Sequence, residues 1–148
     1  MEGRGFLKGL LKLVTTRKTK LYSGARKQAR ATAAIMPGTG RIRVNNVPVE
    51  VMTPLVSRQR VMTPLVLSGE LRDKVDIDVR VQGGGFMGQA EAVAMAISKA
   101  LVDWTRGQEL RKRIIEHDVH LLSGDNRQSE SKKFGGPGAR RRKQKSYR

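Results

Sequence analysis

The sequence predicts a small α+β domain with a basic extension before it and a long basic tail after it. Three observations carry this. "KVDIDVRV" at 74–81 alternates apolar and polar residues, the period of a half-buried strand. Ala90, Val93, Ala94, Ile97, Leu101 and Trp104 then recur at helical spacing, with small residues dominating the stripe. After Gly124 the apolar pattern stops. The chain therefore divides into a basic N-terminal extension (1–22), an α+β body (23–124) and an extended basic tail (125–148). A body of roughly a hundred residues is enough for one modest core.

The elements follow in order. Phe6, Leu7, Leu10, Leu11 and Val14 repeat at helical spacing with Lys8 and Lys12 between them. A basic amphipathic segment can lie on a membrane or resemble a transit peptide. An extension that folds onto a large partner is the preferred reading, because its charge runs straight into the next basic stretch. "SGARKQARATAAIM" at 23–36, the turn signal "PGTG" at 37–40 and "RIRVNN" at 41–46 read as a hairpin. Arg41 and Arg43 share the outer face, with Ile42 and Val44 inward. "VMTPLV" occurs at 51–56 and again at 61–66. Each copy reads as a short helix start, with Thr53 or Thr63 as cap and Pro54 or Pro64 at the first helical position. The helix over 88–105 ends before Gly107. A second helix, about 108–118, uses Leu110, Ile114 and Ile115, and "VHLLSG" at 119–124 reads as a short strand.

Charge is unevenly placed. Thirty Lys and Arg stand against thirteen Asp and Glu, a net +17. Residues 1–43 carry +10, residues 44–130 carry −1 and residues 131–148 carry +8. A nearly neutral body with two basic arms points to a polyanionic partner, nucleic acid above all. With no cysteine, disulfides and thiolate metal sites are excluded. No run of 18 apolar residues is present, so no spanning helix is expected.

Enzyme-like motifs are weak. "GGGFMG" matches G-x-G-x-x-G through Gly83, Gly85 and Gly88, between a strand and a helix. A dinucleotide site also needs a following parallel strand and an acid about twenty residues on. Asp103 falls inside the helix, and a helix follows. A dinucleotide-binding enzyme is therefore the minor alternative, beside a general nucleic-acid-compacting protein. The glycines could still let backbone N–H groups at the helix start approach a nucleic-acid phosphate. Phe86 and Met87 at the loop tip could meet RNA or the core equally well. His117 and His120 read as surface or structural histidines, and no metal or cofactor site is expected. Asp76, Asp78 and Arg80 read as a solvated or ion-paired strand face. Six aromatics are too few for a base-stacking sheet, so phosphate contacts and shape should lead the binding.

Four blocks, "SGARKQARATAAI", "GRIRVNNVPVE", "VDIDVRVQGGGFMGQAEAVAMAISKALVDW" and "SKKFGGPGAR…QKSYR", fall in the order and spacing of one family. Over about residues 23–148 the chain resembles the ninth universal protein of the small ribosomal subunit, in its archaeal and eukaryotic branch. That resemblance implies a two-layer α+β sandwich with a left-handed βαβ crossover and no enzymatic activity. It implies a cytoplasmic place in the head of the small subunit, beside neighbouring head proteins, with no membrane and no small-molecule substrate. Small-subunit rRNA would be held by Arg26, Lys27, Arg30, Arg41, Arg43, Gly83, Gly84, Gly85, Lys132, Lys133, Arg140, Arg141, Arg142, Lys143 and Lys145. The tail would thread through RNA so that Ser146, Tyr147 and Arg148 reach the anticodon stem-loop of peptidyl-site tRNA. The tail is expected to be disordered without RNA. The chain departs from the family pattern at Ala25, where a second basic residue is usual. It departs again at Asn45-Asn46, where Asn-Gly is common, and at Asn126, where proline usually follows the aspartate.

Overall fold

The structure, a computed structural model, describes residues 19–146. Five strands form one sheet: β1 (Leu21–Arg26), β2 (Ala29–Pro37), β3 (Ile42–Val44), β4 (Val47–Pro48) and β5 (Val75–Gln82), in the order β1-β2-β5-β3-β4. Four helices accompany it: α1 (Leu55–Ser68), α2 (Phe86–Thr105), α3 (Gln108–His117) and the single turn α4 (His120–Ser123). Two 3-10 turns, Val49–Val51 and Gly69–Lys74, flank α1. The expected amphipathic segment at residues 6–14 lies outside the described residues.

Alternation builds two layers. Ala29, Ala31, Ala33 and Ile35 of β2 and Val75, Ile77, Val79 and Val81 of β5 are buried on one face. They meet the stripe of α2 from Ala90 to Leu101, together with Val61 and Leu65 of α1, Leu110 and Ile114 of α3, and Leu121. The opposite face carries Arg30, Thr32, Asp78 and Arg80, exposed to solvent. An antiparallel pair with one covered face and one wet face gives this pattern.

The hairpin expected between 23–36 and 41–46 is corrected. The first stretch is itself a hairpin: β1 pairs antiparallel with β2, Leu21 opposite Ala34 and Arg26 opposite Ala29. Its turn is made by Lys27, held at φ 52. β2 then pairs with β5, antiparallel. β3 lies beyond β5 and runs parallel to it, so β3–α1–β5 is the crossover unit. "PGTG" carries the chain across the end of β5 rather than back along β2. It does so around Asp76, whose carboxylate accepts the N–H groups of Thr39 (2.8 Å) and Arg41 (2.9 Å). A Cβ on Gly38 would collide with that carboxylate. The two backbone hydrogen bonds hold the Asp76 carboxyl below its ordinary range.

Asn45 and Asn46 form the β3–β4 turn, both with positive φ (49° and 67°), a conformation Asn tolerates. Asn45 does more than turn. Its side-chain amide donates to the Val81 carbonyl (3.1 Å) and its oxygen accepts the Val81 N–H (2.9 Å), prolonging the β3–β5 pairing.

The two "VMTPLV" copies do not start two helices: only Leu55 and Val56 of the first lie in α1, which contains the whole of the second. Pro54 precedes α1, near the expected start, but Pro64 lies inside it. Interior proline costs a helix about 3 kcal/mol in isolation. Here Ser57, Val61, Pro64, Leu65 and Ser68 form one continuous buried face, so core packing overrides the break. In the last helices, Ile114 is fully buried, whereas Ile115 stays 40% exposed. Trp104, expected on the buried stripe, is 41% exposed and borders a cleft with Met36 and Pro37 at the end of β2. Residues 120–123 are a helical turn, not a strand. The N–H of Gly124 closes it on the His120 carbonyl (3.1 Å).

The tightest contact between the layers is at Gly24. A Cβ there would lie 2.9 Å from the Ala96 nitrogen and closer still to the Ala92 carbonyl oxygen, both backbone atoms of α2. The small residues of α2 exist to permit this approach. Gly24→Ala is expected to destabilise the free protein by about 2–3 kcal/mol, a fall in Tm on the order of 10 °C in a thermal melt. Gly85→Ala, a position with nothing within 4 Å of the added methyl, should cost no more than about 1 kcal/mol.

Candidate nucleic-acid interface

The candidate binding residues singled out in the sequence divide into three groups. The first surrounds the β1–β2 turn. Lys27 is exposed, and its carbonyl accepts from the Arg30 guanidinium at 2.6 Å. Arg30 projects onto the open sheet face, where it borders a cleft of about 650 Å³ with Thr32 and Arg80. Thr32 stands opposite Arg80 in the register, so Arg30 and Arg80 are diagonal neighbours. Arg43 shares the face, opposite Asp78. Arg41 lies exposed just before β3. Ile42 and Val44 are buried as expected, 7% and 6% exposed. Arg80 and Asp78 make no ion pair among the described residues.

Arg26 is different. On the same pleat as Gly24, it points to the helix side and is only 14% exposed. Its guanidinium binds Glu91 of α2 at 2.6 Å and Asp125 at 3.1 Å, and donates to the Arg127 carbonyl at 3.1 Å. The backbone reinforces the join through an isolated parallel bridge between Arg26 and Asp125. Arg26 thus ties the start of the tail to the sheet and the helix layer, rather than presenting a free charge. Its role was not legible in sequence, because both acids are far along the chain, Glu91 being 65 residues away.

The glycine loop forms the second group. Gly83 and Gly84 have positive φ (76° and 66°). A Cβ on Gly83 would sit 2.7 Å from the Gln28 carbonyl oxygen, and one on Gly84 3.1 Å from the Ala29 nitrogen. These two glycines accommodate the chain's own hairpin. Gly85 is open and caps α2 with its backbone, accepting the Gln89 N–H at 2.9 Å. Phe86 is exposed, whereas the Met87 sulfur meets the buried Ser57 hydroxyl at 3.9 Å. With α3 following α2 in place of a strand, the dinucleotide reading lacks its second half.

The third group is the tail. Residues 126–146 form no helix or strand, yet they are not featureless. Glu130 receives Lys133 (2.7 Å) and Arg140 (2.9 Å). The Arg142 guanidinium donates to the Phe134 carbonyl (2.8 Å), and the Lys143 N–H points to Gly135 (3.4 Å). Gly136 lies against the Arg141 carbonyl, where a Cβ has no room. Residues 134–143 therefore make a loop closed on itself, with Lys132, Arg141 and Lys145 exposed. Ser146 ends the described chain; Tyr147 and Arg148 lie outside it.

His120 bonds the Gly124 carbonyl through Nδ1 (3.0 Å). Among the described residues no cluster of three or more His, Cys, Asp or Glu could hold a metal ion. No described helix is long and apolar enough to cross a membrane.

Asp125 is the electrostatic centre of the tail base. Arg127 binds its carboxylate with Nε and Nη2 (2.7–3.0 Å) and with its backbone N–H (2.9 Å), and Arg26 adds a further cation. These bonds hold the Asp125 carboxyl far below the ordinary carboxylate range, Arg127 contributing most. A lowered carboxyl value stabilises the folded form above the unfolded value, near pH 4, and that contribution fades as pH falls toward the folded value. The Tm difference between the native protein and Asp125→Asn is therefore expected to be constant from pH 7 to 5. It should shrink steadily below about pH 4, as acid melts of the RNA-free proteins would show.

A family profile described as ribosomal protein S9/S16 matches residues 24–148. Similar proteins named small ribosomal subunit protein uS9 come from three archaea. That of Methanothrix thermoacetophila is 48% identical over 126 residues, covering 85% of this chain and 96% of the relative. The Desulfurococcus amylolyticus protein is 49% identical over 131 residues, 88% and 94% of the two chains. The Halobacterium salinarum protein is 51% identical over 127 residues, 85% and 96%. With this match spanning the hairpin, the crossover, the glycine loop and the tail together, the chain belongs to the ribosomal protein S9/S16 family, a family of ribosomal structural proteins rather than enzymes.

Proposed function

We propose that this protein is a structural constituent of the small ribosomal subunit head, binding rRNA through its basic arms and carrying its tail to peptidyl-site tRNA. One observation supports this above the others. The tail base is fastened to the body by Arg26, Glu91 and Asp125, so a segment rich in cations leaves the domain at a defined place. A tail without such a join would be tethered but not aimed.

Ordering an extended segment costs roughly 1–2 kcal/mol per residue in backbone entropy. Contacts within 130–143 offset only part of this, since exposed ion pairs contribute little. RNA phosphates provide the remainder: each Lys or Arg that neutralises a phosphate releases counterions, and Arg140, Arg141 and Arg142 can add bidentate hydrogen bonds. Lys132, Lys133, Lys143 and Lys145 extend the same track. Lys27, Arg30, Arg41 and Arg43 form the second contact region, on the sheet side, and Gly85 leaves the α2 start open at its Lys27 end. Ser146, Tyr147 and Arg148 form the proposed tRNA contact. Arg148 provides a charge-assisted hydrogen bond of about 1 kcal/mol.

Two outcomes are expected. Affinity for small-subunit rRNA should fall steeply with salt, and removing residues 131–148 should flatten the log–log slope by several units. A salt-independent affinity would defeat the phosphate-led reading. Deleting Ser146–Arg148 should leave subunit assembly intact while peptidyl-site tRNA dissociates roughly five-fold faster, the kinetic equivalent of about 1 kcal/mol. Unchanged dissociation from truncated subunits would remove the tRNA role.

A further inference from the structure

The near-neutral charge of residues 44–130 hides a spatial segregation. Two clefts, one at the outer edge of β1 and one beyond it at the end of α2, share one side chain, Lys99. The first, about 250 Å³, separates the β1 edge from the tail base and carries Lys27, Arg30 and Lys99, with the amides of Asn126 and Gln128. The second, about 280 Å³, carries Lys99, Arg106 and Arg111 around the α2–α3 junction. Lys99 is held between them by its bond to the Ser23 carbonyl (3.0 Å). None of these five cations makes an ion pair among the described residues.

The acids that border the same clefts are already occupied. Asp103 accepts Lys20 at 2.6 Å and the Tyr22 hydroxyl at 2.5 Å. Together with burial, that carboxylate pushes the Tyr22 hydroxyl up to about 12. Asp125 faces Arg26 and Arg127. What remains toward solvent is one row of positive charge, following the six residues of β1 over about 20 Å.

We propose that Lys99, Arg106 and Arg111 continue the contact region of Lys27 and Arg30 into a third phosphate-binding track, lying along the β1 edge and receiving an RNA backbone. This rests on the rRNA-binding reading above, and adds to it residues of the neutral body. A row of cations without carboxylate partners along a strand edge suits the repeating phosphates of an RNA backbone.

The test is the full chain carrying Lys99→Gln, Arg106→Gln and Arg111→Gln, titrated with in vitro transcribed small-subunit rRNA over a range of salt. The log–log slope is expected to fall by about 2–3 relative to the native chain, roughly 0.9 for each phosphate that is no longer neutralised. The charge-preserving set Lys99→Arg, Arg106→Lys, Arg111→Lys should keep most of the slope. A native slope in the glutamine variant, with steep binding by the native chain, overturns the track and leaves the tail-led reading standing. If the native chain shows no salt dependence, both readings fail together. Acetylation footprinting of the native protein makes the test independent of variant folding. Lys27 and Lys99 should be protected by rRNA at least five-fold. Protection seen only in assembled subunits, and not with rRNA alone, would assign the edge to an acidic protein neighbour and overturn the proposal.

Discussion

The close approach of β1 to α2 at Gly24 sets the position of nearly everything that follows. Two backbones meet there without an intervening side chain, against Ala92 and Ala96. A strand side chain repeats its direction every second residue, so Arg26 necessarily points to the same helix layer. It arrives beside Glu91, the residue preceding Ala92, with a guanidinium only 14% exposed. Asp125 completes the join from the tail side. One missing Cβ therefore propagates through one strand step and one ion pair to the point where the tail leaves. A larger residue at 24 would push α2 outward and carry Glu91 away from Arg26.

The same hairpin explains the glycine loop. Gly83 and Gly84 adopt left-handed backbone conformations and lie against Gln28 and Ala29. A loop that also had to cradle a dinucleotide pyrophosphate would need that space for its ligand. Here the chain fills it with its own β1–β2 turn. The glycine spacing that looks like a nucleotide fingerprint is a solution to packing a strand–helix junction against a hairpin.

Local patterns were legible where one face of one element decides the outcome. The strand at 75–82, the helix ending before Gly107 and the inward Ile42 and Val44 all follow from short-range alternation. Pairing partners were not legible. "PGTG" looks like a hairpin turn, but the Asp76 carboxylate, 37 residues from Thr39 and 35 from Arg41, bends it across the end of β5. Pro64 signals a helix start, yet the buried face from Ser57 to Ser68 carries the helix through it. Arg26 reads as one more cation in a basic run, since nothing nearby in sequence announces its acids. Tail composition likewise shows cations and glycines without showing that Gly136 lies against Arg141.

Charge arithmetic along the chain therefore misleads in two directions. It counts Arg26 as available to a polyanion, although its guanidinium, only 14% exposed, faces two carboxylates within 3.1 Å. It also averages Lys99, Arg106 and Arg111 into a neutral body. Several acids of that body are paired internally: Asp118 with Arg60, Glu50 with Arg72, Asp103 with Lys20, and Asp125 with Arg26 and Arg127. Each such pair cancels a negative charge that would otherwise repel phosphate within a Debye length, about 8–10 Å at physiological salt. The positive surface of the domain is set by which cations the fold leaves unmatched, and the fold leaves them on the open sheet face, along the β1 edge and in the tail.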